Sequence, residues 1–248
     1  PVLIEICLDI QGKHVDEIDI KSSKKLDQNL AITPSKSDIH FSLNMLKNSQ
    51  RPLLLLGGLT SRKLSWQLLE IFERYGLPVA TTTSAIDRVP SSSLVFAGRP
   101  GTWGGQRSAN LILAQADLVI AVGAQLDLQQ TGFNIESYAP SAQLIHVFPS
   151  QAELSRPAPP CIRKVFADPN CYLEEFAANL FWEDKIGWLE YVQKIRRLVP
   201  ALEPSNVTKD GYNDPFLFLQ SLSKVANCSD ILALCSSGGT FTGALQTY

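Results

Sequence analysis

The residues best placed to do chemistry are backbone groups, concentrated in three glycine clusters. The run Gly98-Arg-Pro-Gly-Thr-Trp-Gly-Gly-Gln-Arg-Ser-Ala-Asn110 leads into Leu111–Gln115, then the apolar Ala116–Gly123, then Leu126-Asp-Leu-Gln-Gln-Thr-Gly132. It reads as glycine-rich loop, helix, buried strand and second glycine turn, the order in which an α/β sheet presents a ligand-facing edge. Gly101 and Gly104 allow backbone to approach a ligand, the Gly104-Gly105 turn opens a helix whose first amides suit an anion, and Arg107 and Thr131 can add polar contacts. Gly57 and Gly58 follow the four-leucine run Leu53–Leu56 and make a second such turn. Gly238, Gly239 and Thr240 make the third, a loop after a parallel strand that aims N–H groups at an anion as it enters a helix. Against each stands the plain alternative that βα loops use glycine for tight turns without any ligand.

What must position these loops is a parallel sheet. A helix spans about Asp38 to Asn48, with Ile39, Leu43 and Leu46 on one face. Leu53–Leu56 is a doubly buried strand, and Ser61 and Gly76 cap a helix from Arg62 to Tyr75. Strands follow at Pro78–Thr82, Leu118–Val122, Gln143–Phe148 and Lys164–Phe166. Helices lie at Gln106–Gln115 and at Pro169–Leu180, the latter behind the cap Asp168. This alternation predicts a Rossmann-like, doubly wound parallel α/β sheet over residues 39–181. Residues 13–38 and 182–211 read as connections. The second carries an amphipathic helix, Lys185–Val199, with Ile186, Leu189, Val192, Ile195 and Leu198 as its stripe. Residues 1–12 include a strand, Val2–Ile6. Residues 212–248 hold a helix begun by Asp214-Pro215, a strand at Ile231–Leu234 and the start of a further helix. The first residue is proline, and the last residues show no stop signal, so an internal piece of a longer protein is expected.

Composition excludes several classes. The net charge of −2 across 248 residues gives no nucleic-acid surface, and 45% apolar content is that of a globular protein. The longest apolar stretch, Leu111–Leu126, is broken by Gln115, Asp117 and Gln125, so no membrane span is expected. The five cysteines are scattered and form no C-x-x-C, which argues against zinc or a disulfide framework and for reduced thiols of a cytoplasmic protein.

Gly101, Asn110, Asp117, Gly123, Asp127, Thr131 and Gly132, in one register, carry a resemblance. Arg51–Pro149 is similar to the central domain of thiamine-diphosphate-dependent enzymes of the acetolactate synthase and pyruvate decarboxylase superfamily. Val2–Ile6 with Asp9-Ile10 resembles the last strand of that family's pyrimidine-binding domain, and Tyr212–Tyr248 the start of its diphosphate-binding domain. The resemblance implies a thiamine diphosphate- and magnesium-dependent lyase or carboligase acting on a small 2-oxo acid, with the cofactor as electron sink. It also implies a homo-oligomer, a dimer or tetramer, because the family's cofactor sits between subunits. Gly238, Gly239 and Thr240 match one side of the diphosphate site. The family's catalytic glutamate lies upstream of Pro1 and its magnesium-holding segment downstream of Tyr248. These residues alone are therefore expected to be structural and oligomerising, without catalytic or metal-binding side chains.

The family's central domain holds FAD in some members and ADP in others. Here Gly57, Gly58, Gly101, Gly104, Arg107 and Thr131 outline the corresponding pocket. The chain departs from FAD-binding members at Leu59, where they have a third glycine, and at Gln125–Gln129, where they carry Arg-Phe-Asp-Asp-Arg. It departs again at Phe148-Pro-Ser150, where an acidic residue commonly follows the strand. The pocket is expected to be degenerate or empty, with a retained nucleotide, or a regulatory domain binding ADP, CoA or FAD, as the alternative. An NAD-dependent protein deacylase shares the sheet topology but needs paired zinc cysteines that the sequence lacks. Of the remaining candidates, His146 reads as a satisfied core histidine, Asp87-Arg88 as a structural or solvated ion pair, Trp103 as a residue packed on a neighbouring domain, and Cys235 as an inert core thiol.

Overall fold

The computed structural model describes residues 11–14, 32–184, 186–203, 208–226 and 238–247. The chain divides into two units, residues 1–30 and 31–248. Of the first, the described residues 11–14 form an exposed turn. The strands expected at Val2–Ile6 and Ile231–Leu234, and Cys235, lie outside the described residues.

The second unit is built on six strands: β1 Pro52–Leu56, β2 Val79–Thr81, β3 Phe96–Gly98, β4 Leu118–Val122, β5 Gln143–Phe148 and β6 Arg163–Phe166. All pair in parallel, in the order β3-β2-β1-β4-β5-β6. This is the doubly wound arrangement, and its order reverses between β1 and β4. Those two strands pair along their whole length, from Pro52 with Leu118 to Leu56 with Val122, and every residue of both is buried. Runs of Leu, Val and Ile without alternation are what a sheet covered on both faces requires.

The helices are α1 Lys36–Asn48, α2 Arg62–Tyr75, α3 Arg107–Gln115, α4 Leu128–Thr131, α5 Gln151–Ser155, α6 Pro169–Ala178, α7 Trp188–Leu198, α8 Pro215–Val225 and α9 Gly239–Thr247. Their starts are set by side chains that accept from the first free amides. Ser35 opens α1, Ser61 opens α2, and Asp168 and Asp214 open α6 and α8, each followed by proline. Gly76 ends α2 at φ 65°, a left-handed turn that glycine adopts without a Cβ clash.

Four features differ from the sequence reading. Residues 36–38, expected to belong to the polar connection, are helical because Ser35 supplies the cap. β3 had no separate signal, being three residues long and running straight into the glycine loop. α4 and α5 are single short turns, capped by Asp127 and Ser150. α7 starts at Trp188 rather than Lys185, because the Asp184 carboxylate accepts from the amides of Trp188 and Leu189, both at 2.8 Å. Its buried stripe is consequently Trp188 and Val192, while Ile186 and Leu198 are exposed.

Candidate functional site

The carboxyl ends of β1 and β4 form the switch point where doubly wound sheets place a ligand. In this chain the glycines there lie close against other parts of the protein. A Cβ on Gly57 would lie 2.2 Å from Ala124 Cα and from the Gly123 carbonyl oxygen, so this glycine lets two backbones pass each other. Beside it the Leu59 amide donates to the Gly123 carbonyl at 3.2 Å. The Leu59 and Pro169 side chains stand where a Gly123 side chain would go, each 3.1 Å from it, and Ser84 Oγ lies 2.9 Å from the Gly58 Cβ position. Arg88 locks the turn: Nε donates to the Thr60 carbonyl at 2.5 Å and a terminal nitrogen to the Gly58 carbonyl at 3.2 Å. The same guanidinium pairs with Asp87, so the ion pair holds the glycine turn in place.

The glycine-rich loop is a second cluster, two strands away. Asn110 grips Gly101 on both sides, accepting from its amide at 2.9 Å and donating to its carbonyl at 3.0 Å. A Cβ on Gly105 would sit 2.0 Å from the Gly101 carbonyl oxygen. Gln130 donates to the Pro100 carbonyl at 3.0 Å and to the Tyr138 hydroxyl at 3.2 Å. Thr131 Oγ1 donates back to the Asp127 carbonyl at 2.9 Å. Gly101 and Thr131 thus share one wall of a small cavity, about 230 Å³, whereas Gly57 and Gly58 lie elsewhere. Arg107 joins neither group: it is exposed and pairs with Glu203 beyond α7. Gly104 faces Leu245 of α9, whose Cδ1 lies 3.0 Å from its Cβ position.

That contact belongs to a joint that sequence reasoning missed. Arg99 is buried, and its Nε donates to the Leu245 carbonyl at 2.8 Å. Burial first, and Arg196 second, bring its pKa down to about 10. Gln106 accepts from the Arg99 amide at 3.0 Å and donates to the Gln246 carbonyl at 2.8 Å, while Gln246 donates back to the Gly105 carbonyl at 3.2 Å. The loop therefore holds α9 at Leu245 and Gln246. An arginine amid glycines gives no sequence signal for burial, which is why neither residue stood out.

The third cluster opens α9. Gly238 has φ 112° and open space around its Cβ position, and the first bond of the helix runs from the Thr242 amide to the Gly238 carbonyl at 3.2 Å. The amides ahead of Thr242 precede that bond and have no acceptor within the helix. A left-handed glycine leading into the first amides of a helix fits an anionic group such as a diphosphate.

The remaining candidates are structural. His146 is buried, and because a carbonyl only accepts, its Nε2–H donates to the Ala124 oxygen at 2.9 Å, leaving Nδ1 without a partner. It is half satisfied rather than fully so. Phe148 packs beside it, with ring centroids 5.8 Å apart, and Ser150, just past the strand, caps α5. Trp103 is 54% exposed among the described residues. Among the described residues no three His, Cys, Asp or Glu side chains gather to hold a metal. No described helix is long and apolar enough to cross a membrane.

Burial pushes the His146 imidazole below its ordinary value, and Lys164 adds to the fall, against the Ala124 carbonyl and Glu153. The unfolded chain, titrating near 6.5, then binds the proton more readily than the folded one, so stability falls as pH drops below about 6.5. His146→Gln, which keeps a donor for Ala124, is expected to flatten this part of the profile. Urea midpoints of both proteins between pH 5 and 7 check it, and parallel profiles would contradict it.

Comparison with known proteins gives the same architecture a lineage. The family described as thiamine pyrophosphate enzyme, central domain, matches residues 39–176, more than half of the chain. The acetolactate synthase isozyme 1 large subunit of Escherichia coli is 28% identical over 237 residues, covering 96% of this chain and 40% of the relative. The acetolactate synthase large subunit of Corynebacterium glutamicum is 29% identical over 213 residues, covering 81% of this chain and 32% of the relative. A probable acetolactate synthase large subunit of Methanocaldococcus jannaschii is 26% identical over 234 residues, covering 92% and 39%. The chain thus spans 32% to 40% of the length of these relatives.

Proposed function

Since this chain belongs to the thiamine pyrophosphate enzyme family through its central domain, we propose that it forms part of a thiamine-diphosphate- and magnesium-dependent enzyme of acetolactate-synthase type, a lyase or carboligase acting on a 2-oxo acid. The observation that carries this reading is the reach of the similarity to the Escherichia coli relative, which runs over 237 residues and so past the central domain into its flanks. Residues 39–181 are the Rossmann-like central domain, 1–12 the tail of a pyrimidine-binding domain, and 212–248 the head of a diphosphate-binding domain, with 13–38 and 182–211 joining them. The enzyme works as a homo-oligomer, and these residues hold and orient rather than react.

Gly238, Gly239 and Thr240 are assigned to one side of the diphosphate, through backbone amides at the start of α9. Bound thiamine diphosphate supplies the electron sink that lets a bond beside a carbonyl break or form. What the chain itself does is keep the glycine loop open at Gly238, carry it on a helix, and anchor that helix to the sheet. The alternative, a regulatory domain taking ADP, CoA or FAD, would use the switch-point turn that Arg88 braces through the Thr60 and Gly58 carbonyls.

Thermal unfolding of the full-length protein tests the reading. At 100 times its Kd, thiamine diphosphate with magnesium is expected to add about 2.7 kcal/mol of stability. Gly238→Val, strained at φ 112°, should need more cofactor for the same rise. A rise with FAD, ADP or CoA and none with thiamine diphosphate would replace this reading with the regulatory one.

A further inference from the structure

α9 is held at Leu245 and Gln246 and, on the reading above, works at its amino end. The Leu245 carbonyl receives Arg99 Nε at 2.8 Å and the Gln246 carbonyl receives Gln106 Nε2 at 2.8 Å. Gln246 returns a bond to the Gly105 carbonyl at 3.2 Å, and Leu245 fills the space that a side chain on Gly104 would need. Gln106 is shared between loop and helix, since its Oε1 accepts from the Arg99 amide at 3.0 Å while its Nε2 serves α9. The loop and the end of the helix therefore cannot shift independently.

Arg99 is a buried cation, and its charge strengthens the bond to the Leu245 carbonyl. Gly238 leads into the helix that carries Leu245, roughly 10 Å away along its axis, so a shift at the clamp is carried along a single rigid element to the amides at the helix start.

We propose that Arg99 and Gln106 are positioning residues for the cofactor: the glycine-rich loop of the central domain clamps α9 at Leu245 and Gln246 and so sets where its first amides meet the diphosphate. The proposal rests on the assignment of Gly238–Thr240 to thiamine diphosphate. It gives the loop, which has the look of a nucleotide-binding turn, the carbonyls of a helix as its ligand.

The test uses the full-length protein with Gln106→Met, Arg99→Met and the conservative Arg99→Lys. Without cofactor, hydrogen exchange of the α9 amides is expected to quicken about tenfold in Gln106→Met, the loss of its one bond to α9. The Kd for thiamine diphosphate with magnesium should rise by about the same factor, and by more in Arg99→Met, where charge is lost as well. Arg99→Lys, which keeps the charge and one donor, should recover most of the affinity. At saturating cofactor the KM for the 2-oxo acid should match the unmodified protein. Gln246→Leu approaches the clamp from the helix and should weaken cofactor binding in the same direction, which keeps the test intact if Gln106→Met does not fold. Normal cofactor affinity in a folded Gln106→Met and Gln246→Leu would overturn the clamp and leave the cofactor assignment standing. An unmodified protein that fails to bind thiamine diphosphate would overturn the assignment and the clamp together, whatever α9 exchange shows.

Discussion

Gly57→Ala is expected to cost at least about 3 kcal/mol, lowering the melting temperature of the central domain by roughly 6–12 °C. The new methyl would lie 2.2 Å from Ala124 Cα, 2.2 Å from the Gly123 oxygen and 2.3 Å from the Ala124 nitrogen, all of them backbone atoms. None can step aside without prying β1 from β4, and those strands form the centre of the sheet. Gly58→Ala should cost less, because its nearest neighbour is the Ser84 hydroxyl at 2.9 Å, a side chain that can rotate. Gly12→Ala, with nothing within 4 Å among the described residues, should leave stability unchanged. Thermal melts of the three variants read out the order. Equal effects at Gly57 and Gly12 would mean that β1 and β4 are not in contact at this point. If the order holds, Gly57, read from the sequence as part of a ligand-facing turn, is present because two strands converge there.

The same lesson runs through the residues that carried the family resemblance. Asn110 grips Gly101, Asp117 ties down the entry to β1, and Gly123 makes room for Leu59 and Pro169. Asp127 caps α4, Thr131 bonds back onto it, and Gly132 passes Thr102 at φ 76°. Every one of these contacts is local backbone architecture. Sheet order, strand faces and helix caps were readable because apolar runs, Ser and Asp caps and glycine stops express local physics. What the residues contact was harder to read, since a tight turn and a ligand cradle need the same glycines. Arg99 and Gln106 were illegible for a different reason. Their partners, Leu245 and Gln246, stand about 140 residues further along the chain, a distance that no local pattern spans. Arg107 misled in the opposite sense, since its position at the start of α3 suits an anion but its side chain turns outward to Glu203.

Asp117→Ala is the complementary case, a large effect at the edge of the sheet away from any ligand. Its carboxylate takes three donors from the turn that joins α1 to β1: the Ser49 hydroxyl, the Gln50 amide at 2.9 Å and the Arg51 amide at 3.0 Å. The Asp117 backbone also donates to the Arg51 carbonyl at 3.1 Å and accepts from Gln143 at 2.9 Å, so β1, β4 and β5 are tied together where they begin. Removing the carboxylate leaves those amides without their acceptor, and charge-assisted bonds of this kind are worth more than neutral ones. The expected loss is about 2–4 kcal/mol, seen as a lower urea midpoint at unchanged m. Asp117→Asn, which keeps one oxygen acceptor, should lose about half as much. Because the carboxyl ends of the strands, the glycine loop and α9 are built on the opposite edge, the protein that remains folded should bind thiamine diphosphate as tightly as before. A weakened cofactor Kd in a folded Asp117→Ala would mean that disturbance crosses the sheet, and that the clamp at Arg99 and Gln106 is only one of several routes by which the central domain controls the cofactor site.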